Sequence, residues 1–493
     1  MAALDSSTAS TSDTEQPAPQ GRTLAAHAVF SRAAGAPLFD GNAVRLLLDG
    51  GENYAAWQEA IRSAKQVIYF ENYIIRPDAI GRTFLDALTE RAKAGVTVRV
   101  VLDWFGSLFT PRSFWRPLLQ AGGCVRYHNP PGFRGSLQWF NRDHRKSLVV
   151  DGRIGSVSGV CVSDVWLGDA QKKIEPYRDT GIEIRGPAVV DLVSAFAEVW
   201  AQNGSPIPEK ELAALPEPEA EGEVAVRVIA TAPNITNVYR LDLLIAALAQ
   251  NRLWITDAYF AGTAAYVQAL RAAARDGVDV RLLVPGGSDL PWLRPLTTAG
   301  YRPLIEAGVR VFEWNGSMIH AKTAIADERW ARVGSTNLNV ASWLTNFELD
   351  VTIEDEGVVG QMADAYERDL QHSTEIVLKK FRSVRLQPEG DPRGRSKPGR
   401  GSIARATAGA LRFTRTVSAV VTNQRVLSPT DARSLFVAAL IGLAFAFLAF
   451  AFPKAIAWPV AGLAVMMSAL LLARAVRARI RRVRRNPDGK PPA

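Results

Sequence analysis

Cysteine and histidine are both scarce in this chain. Two cysteines among 493 residues, Cys124 and Cys161, each with apolar strand-like neighbours, exclude a disulfide framework and a zinc-type thiolate cluster. Five histidines leave little room for a metal site built on imidazoles, so neither a metal nor a cofactor is expected. A secretory signal is missing too: the first apolar material is too short and has no charged segment ahead of it. Residues 1–23 are rich in Ser, Thr, Ala and Pro, and residues 1–36 are expected to form a disordered lead. Apolar residues are plentiful. At 47% of the chain they suffice for two or three domain-sized units with their own cores.

Acidic residues are sparse at one end only. Residues 379–493 hold 22 Lys or Arg against 4 Asp or Glu, a net of +18 in a chain whose total is +9, which leaves −9 for residues 1–378. A nucleic-acid enzyme would concentrate positive charge on its catalytic body, so no nucleic-acid partner is expected. An acidic body with a basic tail implies that the tail meets an anionic surface. That tail contains two apolar runs, Leu435–Phe452 and Ile456–Ala473, each about 18 residues or roughly 27 Å as a helix, enough for a bilayer core. Pro453 and Lys454 leave only a tight turn between them. Residues 434–474 are therefore expected to form a transmembrane hairpin, between a basic juxtamembrane linker at 379–433 and a basic tail at 475–493. Positive charge at both outer ends places the N-terminal body and the C-terminus on the cytoplasmic side of the cell membrane. Ile403–Leu427 reads either as a basic amphipathic helix suited to a membrane surface or as a partly ordered linker.

Between 37 and 378, helices alternate with strands. Tyr54–Lys65, Gly81–Ala94 and Ser113–Ala121 have helical patterns; Val67–Tyr73, Val96–Leu102 and Cys124–Tyr127 read as strands. The order then recurs: helix Leu241–Ala249, strand Leu253–Tyr259, helix Ala264–Arg275, and strand Val278–Val284, which matches Val96–Leu102 down to the Arg at its fourth position. Each copy leads into one eight-residue pattern, His144 to Asp151 in the first and His320 to Asp327 in the second. His144 and Lys146, like His320 and Lys322, are two apart on an extended segment and point to the same side. An imidazole and an ammonium side by side suit a phosphate: the cation neutralises oxygen charge, while the histidine attacks phosphorus or moves a proton. A stretch with Pro206, Pro208, Pro216 and Pro218 marks residues 203–222 as the linker between halves at 37–202 and 223–378.

The paired His-x-Lys-x4-Asp motifs, with Gly334, Ser335, Thr336 and Asn337 after the second, resemble the phospholipase D superfamily. Asn141–Lys146, Tyr177–Ala188 and Asn346–Glu348 sharpen the resemblance towards bacterial cardiolipin synthases. It covers roughly 40–378 and implies an α/β fold of two similar halves, a phospholipase D-like tandem repeat packed about a pseudo-twofold, with the C-terminal transmembrane hairpin outside it. It implies a ping-pong phosphatidyl transfer without metal: His144 is the nucleophile forming a phosphohistidine, His320 the acid/base, and Lys146 and Lys322 stabilise charge. The residues themselves do not separate the two histidines. By the resemblance Asp151 and Asp327 complete the catalytic signature; as turn residues they are read as ordering the turn and the lysines rather than touching substrate. Ser335 and Asn337 are candidate phosphate ligands or supports, and Asp179 and Glu348 candidates to fix the imidazole tautomers.

The substrates so implied are phospholipids, phosphatidylglycerol or similar, met at the membrane. Hydrolytic phospholipase D, phosphodiester nuclease and non-catalytic membrane scaffold are the competing readings. One departure stands out: Cys161 occupies the place of Asn337 in the first copy, and a thiol is a poor donor to phosphate. His27, His128 and His372 have no partners in the pattern and are read as surface or loop residues. The aromatics Trp104, Phe105, Phe109, Phe114, Trp115, Phe133, Trp139 and Phe140 either pack the core or line an acyl-chain entrance.

Overall fold

The computed structural model describes residues 28–130, 141–169, 175–217, 219–287, 289 and 294–378. The expected hairpin at 434–474, its basic flanks, His27, and the loop aromatics Phe133, Trp139 and Phe140 lie outside those residues. No helix among the described residues is long and apolar enough to cross a membrane.

Fifteen strands are found among the described residues: β1 Phe39–Leu48, β2 Val67–Asn72, β3 Thr97–Asp103, β4 Cys124–His128, β5 Lys146–Val150, β6 Ile154–Ser158, β7 Thr180–Arg185, β8 Val224–Thr231, β9 Arg252–Thr256, β10 Asp279–Pro285, β11 Arg310–Trp314, β12 Thr323–Ala326, β13 Trp330–Gly334, β14 Glu348–Glu354 and β15 Ser373–Ile376. They join in the order β15-β11-β10-β9-β12-β13-β14-β8-β1-β7-β6-β5-β2-β3-β4. With β15 set aside, the order reads identically from either end once each strand of the first half is matched to its twin, β1 to β8 through β7 to β14. That palindrome is the mark of two like halves about a pseudo-twofold.

In each half a helix crosses between parallel neighbours: Ala79–Lys93 from β2 to β3, and Ala264–Arg275 from β9 to β10. Side-chain caps start both, with Asp78 accepting from the Gly81 N–H and Thr263 from the Tyr266 N–H. Every residue of β2 is buried because both faces are covered. Phe70 enters an outer core with Trp57 and Phe84, whereas Tyr69 enters a central one. The central core takes Val149, Val157 and Ile182 from the first half and Ile325, Val333 and Val351 from the second. A bulged antiparallel seam joins the halves, pairing Phe39 with Val226 and Asn42 with Val224. Neither seam strand stood out in the sequence, since β1 opens on the turn-like Asp40-Gly41-Asn42 and β8 follows an acidic stretch.

One boundary needs correction. Residues 28–36 are no disordered lead: 28–34 are helical, Ala34 is fully buried, and Arg227 bonds Ser31 Oγ at 3.3 Å and the Ala36 carbonyl at 3.2 Å. The proline-marked linker is also docked. It carries the short helix Glu209–Ala213, whose Glu211 accepts from Tyr69 Oη at 2.9 Å and from Arg99 Nε at 2.7 Å, while Ile207 is buried.

Asp151 and Asp327, expected among the catalytic residues, stand at the far ends of their strands. Lys146 and Asp151 are five residues apart, about 16 Å along an extended chain. Both aspartates adopt left-handed backbone, φ 53 and 50, as a turn demands. Asp151 accepts from the N–H groups of Lys65, Gln66 and Val67 at 2.7–2.9 Å, and Asp327 from those of Gln250, Asn251 and Arg252. They tie turn to turn, and their bonds go to backbone N–H groups rather than to Lys146 or Lys322. Asp151→Ala should lower stability by about 2 kcal/mol, read as a lower urea midpoint, with specific activity of the folded protein within about two-fold. A loss of activity without loss of stability would return Asp151 to the site.

Candidate active site

Lys146 opens β5, and Lys322 immediately precedes β12; each histidine sits two residues earlier. Short bridges between the halves fix both. The Phe347 N–H donates to the Arg142 carbonyl at 2.8 Å and the His144 N–H to the Phe347 carbonyl at 2.9 Å. In the twin, the Arg178 N–H donates to the Met318 carbonyl at 2.9 Å and the His320 N–H to the Arg178 carbonyl at 2.7 Å. The side chains cross as well. His144 Nδ1 lies 2.9 Å from Glu348 Oε2, and His320 Nδ1 lies 2.9 Å from Asp179 Oδ2. Each imidazole is therefore oriented by an acid of the opposite half. Each lysine curls back to the carbonyl of its own histidine, and Lys322 Nζ lies 3.0 Å from both ring nitrogens of His320.

Burial controls the charge states. It pushes His144 down to about 4, with Lys146 and Lys322 adding to the effect against the pull of Glu348. His320 is lowered by burial and by Lys322, against Asp179. Lys322 falls to about 8, through burial and the nearby Lys146. Burial works to raise Asp179 and Glu348, but the facing histidine and lysine hold both below the usual carboxylate range. At neutral pH each site histidine is thus a neutral imidazole donating Nδ1–H to a carboxylate. Its Nε2 keeps a lone pair.

This arrangement has known relatives. A family model described as "Cardiolipin synthase, PLD-like domain" matches residues 244–370. Cardiolipin synthase A of Pseudomonas aeruginosa is 36% identical over 356 residues, covering 71% of this chain and 71% of its own. Cardiolipin synthase 1 of Bacillus cereus is 31% identical over 370 residues, covering 72% of this chain and 71% of its own. The chain belongs to the cardiolipin synthase branch of the phospholipase D superfamily. It is accordingly a phosphatidyltransferase of that superfamily. The crystal structure of phosphatidylserine synthase from Haemophilus influenzae shares the fold, with a TM-score of 0.58 at 17% identity over 71% of this chain and 92% of the other.

Within this cardiolipin synthase-like site the halves differ. Ser335 Oγ donates to Glu348 Oε2 at 2.6 Å and accepts from the Leu349 N–H, so it braces the acid and has no proton left for a phosphate. Asn346 Nδ2 reaches the other Glu348 oxygen at 3.1 Å. Gly159 stands where Ser335 does, and a Cβ there would come within 2.1 Å of Asp179 Oδ1. Asp179 is braced instead by the Trp166 indole N–H at 2.9 Å. Asn337 is buried, its Nδ2 reaching only Ser342 Oγ at 3.5 Å and its Oδ1 without a partner, so its amide is uncommitted. Cys161 is buried too; burial raises its thiol, while Lys146 and the Ile74 N–H draw it down.

Sequence reasoning passed over three site neighbours. Tyr73 packs edge-on to His144 at 5.0 Å, and Tyr259 and Trp166 pack edge-on to His320 at 5.9 and 5.5 Å. Both tyrosines close the same strand pattern in the two copies, a signal that was available. His128 needs correction: it is a buried residue of β4, 3.2 Å from Asn203 Nδ2 and edge-on to Phe347 at 5.0 Å. Burial, with Arg142 and Arg145, pushes it down to about 4. His372 is exposed, as read.

His144, His320 and His128 all fall below the 6.5 of a free imidazole. Below that value the unfolded chain takes up protons that the folded chain refuses. His144 and His128, each near 4, therefore contribute stability that is lost as pH drops from about 6.5 towards 4, by up to about 1.4 kcal/mol per pH unit apiece. Asp242, Asp257 and Asp350, raised by burial to about 6, 7 and 7, contribute with the opposite sign over the same range, so the histidine share shows as the difference between wild type and a histidine variant. Urea midpoints across that range check this. His128→Asn should make the change of stability with rising pH less positive by one proton between about 4 and 6.5, and an unchanged slope would refute its burial as a neutral ring.

Proposed function

We propose that this chain is a membrane-anchored cardiolipin synthase, moving a phosphatidyl group from one phosphatidylglycerol to a hydroxyl of another. The observation that carries the reading is the crossed pairing of His144 with Glu348 and of His320 with Asp179, each 2.9 Å long, which commits both Nδ1 atoms and leaves the Nε2 atoms to face the reaction, that of His320 with Lys322 Nζ 3.0 Å away. In the first step His144 Nε2 attacks phosphorus. The bond to the headgroup oxygen breaks, and His320, protonated when the phosphodiester binds, gives its proton to the departing glycerol. In the second step His320 takes the proton of an incoming lipid hydroxyl, whose oxygen attacks phosphorus as the N–P bond breaks. Lys146, Lys322 and the uncommitted amide of Asn337 bear on the phosphate oxygens. The assignment of His144 as nucleophile follows the family resemblance, since both rings are neutral and charge does not separate them.

The anchoring rests on the apolar runs 435–452 and 456–473, and the flanking arginines support a cytoplasmic body. The acidic charge of residues 1–378 favours a lipid over a nucleic-acid substrate.

The test is full-length protein in vesicles carrying labelled phosphatidylglycerol. Cardiolipin plus glycerol is the expected product; phosphatidic acid as the main product would make the chain a hydrolase. His144→Ala and His320→Ala should each cut turnover by at least about 10²–10⁴, and trapped phosphoenzyme should vanish only with the nucleophile. Should phosphoenzyme persist in His144→Ala and vanish in His320→Ala, the roles are reversed.

A further inference from the structure

The turn after β3 inverts the usual rule for a surface loop. Its hydroxyl residues are buried and its large apolar ones exposed. Ser107 and Thr110 point inward, Ser107 Oγ to the Tyr73 carbonyl at 3.3 Å and Thr110 Oγ1 to the Ile75 carbonyl. Phe105, Leu108 and Phe109 point outward, 57%, 47% and 74% exposed. The exposure is not slack. Backbone bonds from Ser107 to Asp103 and from Thr110 to Ser107, each 3.0 Å, close the turn. Gly106 presses so near Tyr73 that a Cβ would meet its carbonyl oxygen at 2.3 Å. A rigid turn that holds three apolar side chains in water is built for contact.

Charge says with what. In a body that is acidic overall, residues 104–130 contain Arg112, Arg116 and Arg126 and no Asp or Glu. Arg76, Arg112 and Arg116 are exposed, and the Arg76 guanidinium lies 6.0 Å from the Phe109 ring. Aromatic and aliphatic tips with exposed Arg76 beside Phe109 and exposed Arg112 and Arg116 following in sequence match the boundary between acyl chains and anionic headgroups. The turn rests on Tyr73, whose ring lies 5.0 Å from that of His144.

We propose that this turn is an interfacial dock. Phe105, Leu108 and Phe109 enter the outer acyl region of an anionic phospholipid surface while Arg76, Arg112 and Arg116 bind its headgroups, holding the His144 side of the site against the lipid. The choice of a phospholipid surface over a protein partner rests on the phosphatidyl-transfer reading. At the twin position the loop after β10 carries Asp289, which accepts from Tyr259 Oη at 2.7 Å.

The full-length variant Phe105→Ser/Leu108→Ser/Phe109→Ser tests it. Turnover of phosphatidylglycerol in vesicles should fall by about ten-fold or more, while turnover of dispersed dihexanoyl phosphatidylglycerol stays within about two-fold. Equal turnover in vesicles, or an equal loss on both substrates, overturns the dock. A second measurement is independent of catalysis: a fluorophore on Phe109→Cys in a Cys124→Ser background of the full chain, with vesicles. Quenching by spin-labelled lipid with protection from iodide supports the dock. Free access to iodide, or protection without lipid quenching as under a protein partner, overturns it. If wild type turns over neither substrate, the phosphatidyl-transfer reading fails, and the fluorophore still decides the dock.

Discussion

A histidine serves phosphoryl chemistry only when one ring nitrogen is held and the other is free, and the partner that holds it must be charged and dry. Here both holding carboxylates come from across the pseudo-twofold, Glu348 to His144 and Asp179 to His320. Much else follows from that requirement. Backbone bridges through Phe347 and Arg178 set the height of each imidazole against its acid. Arg145, fully buried beside His144, reaches the Glu348 carbonyl at 3.1 Å and the Thr231 carbonyl at 2.9 Å, both in the other half. Arg178 does the same from the first half, its Nε bonding Asp369 at 2.9 Å on the helix Glu356–Gln371. The shared central core then keeps the two halves from sliding.

The sequence disclosed the parts of this arrangement that depend on local pattern. The doubled βα order and the strand faces of His144 with Lys146 and of His320 with Lys322 came from spacing and repetition, and the family from the resemblance that the paired motifs carry. The elements that depend on distant pairing were hidden. β1 and β8 form the seam, yet β1 opens on the turn-like Asp40-Gly41-Asn42 and β8 follows an acidic stretch, so neither announces a partner in the other half. Burial of His128 was hidden likewise, because its cover is Phe347, more than two hundred residues away. Trp166 could not be read as a brace for Asp179 without knowing that Gly159 leaves the room. The lead was misjudged because a short Ala-rich helix has too little pattern of its own, and Arg227 supplies its contacts from outside.

The halves are alike in topology and unlike in chemistry. One acid is braced by a hydroxyl and an amide, the other by an indole. One half offers the buried amide of Asn337, and the other the buried thiol of Cys161, which donates weakly. The bridging residue is Phe347 on one side, packed against His128 and beneath Arg145, and the charged Arg178 on the other. A ping-pong reaction asks different things of its two histidines, and the surroundings differ accordingly.

The docked linker between the halves adds a geometric consequence. A crossed site can be assembled from two copies of a single half, but identical copies must carry identical acids and identical braces. Joining both halves in one polypeptide, with Glu211 clamped to Arg99 and Tyr69 to hold the tether down, removes that obligation. Asymmetry is what covalent continuity permits, and Glu348 facing Asp179 across the axis is its plainest trace.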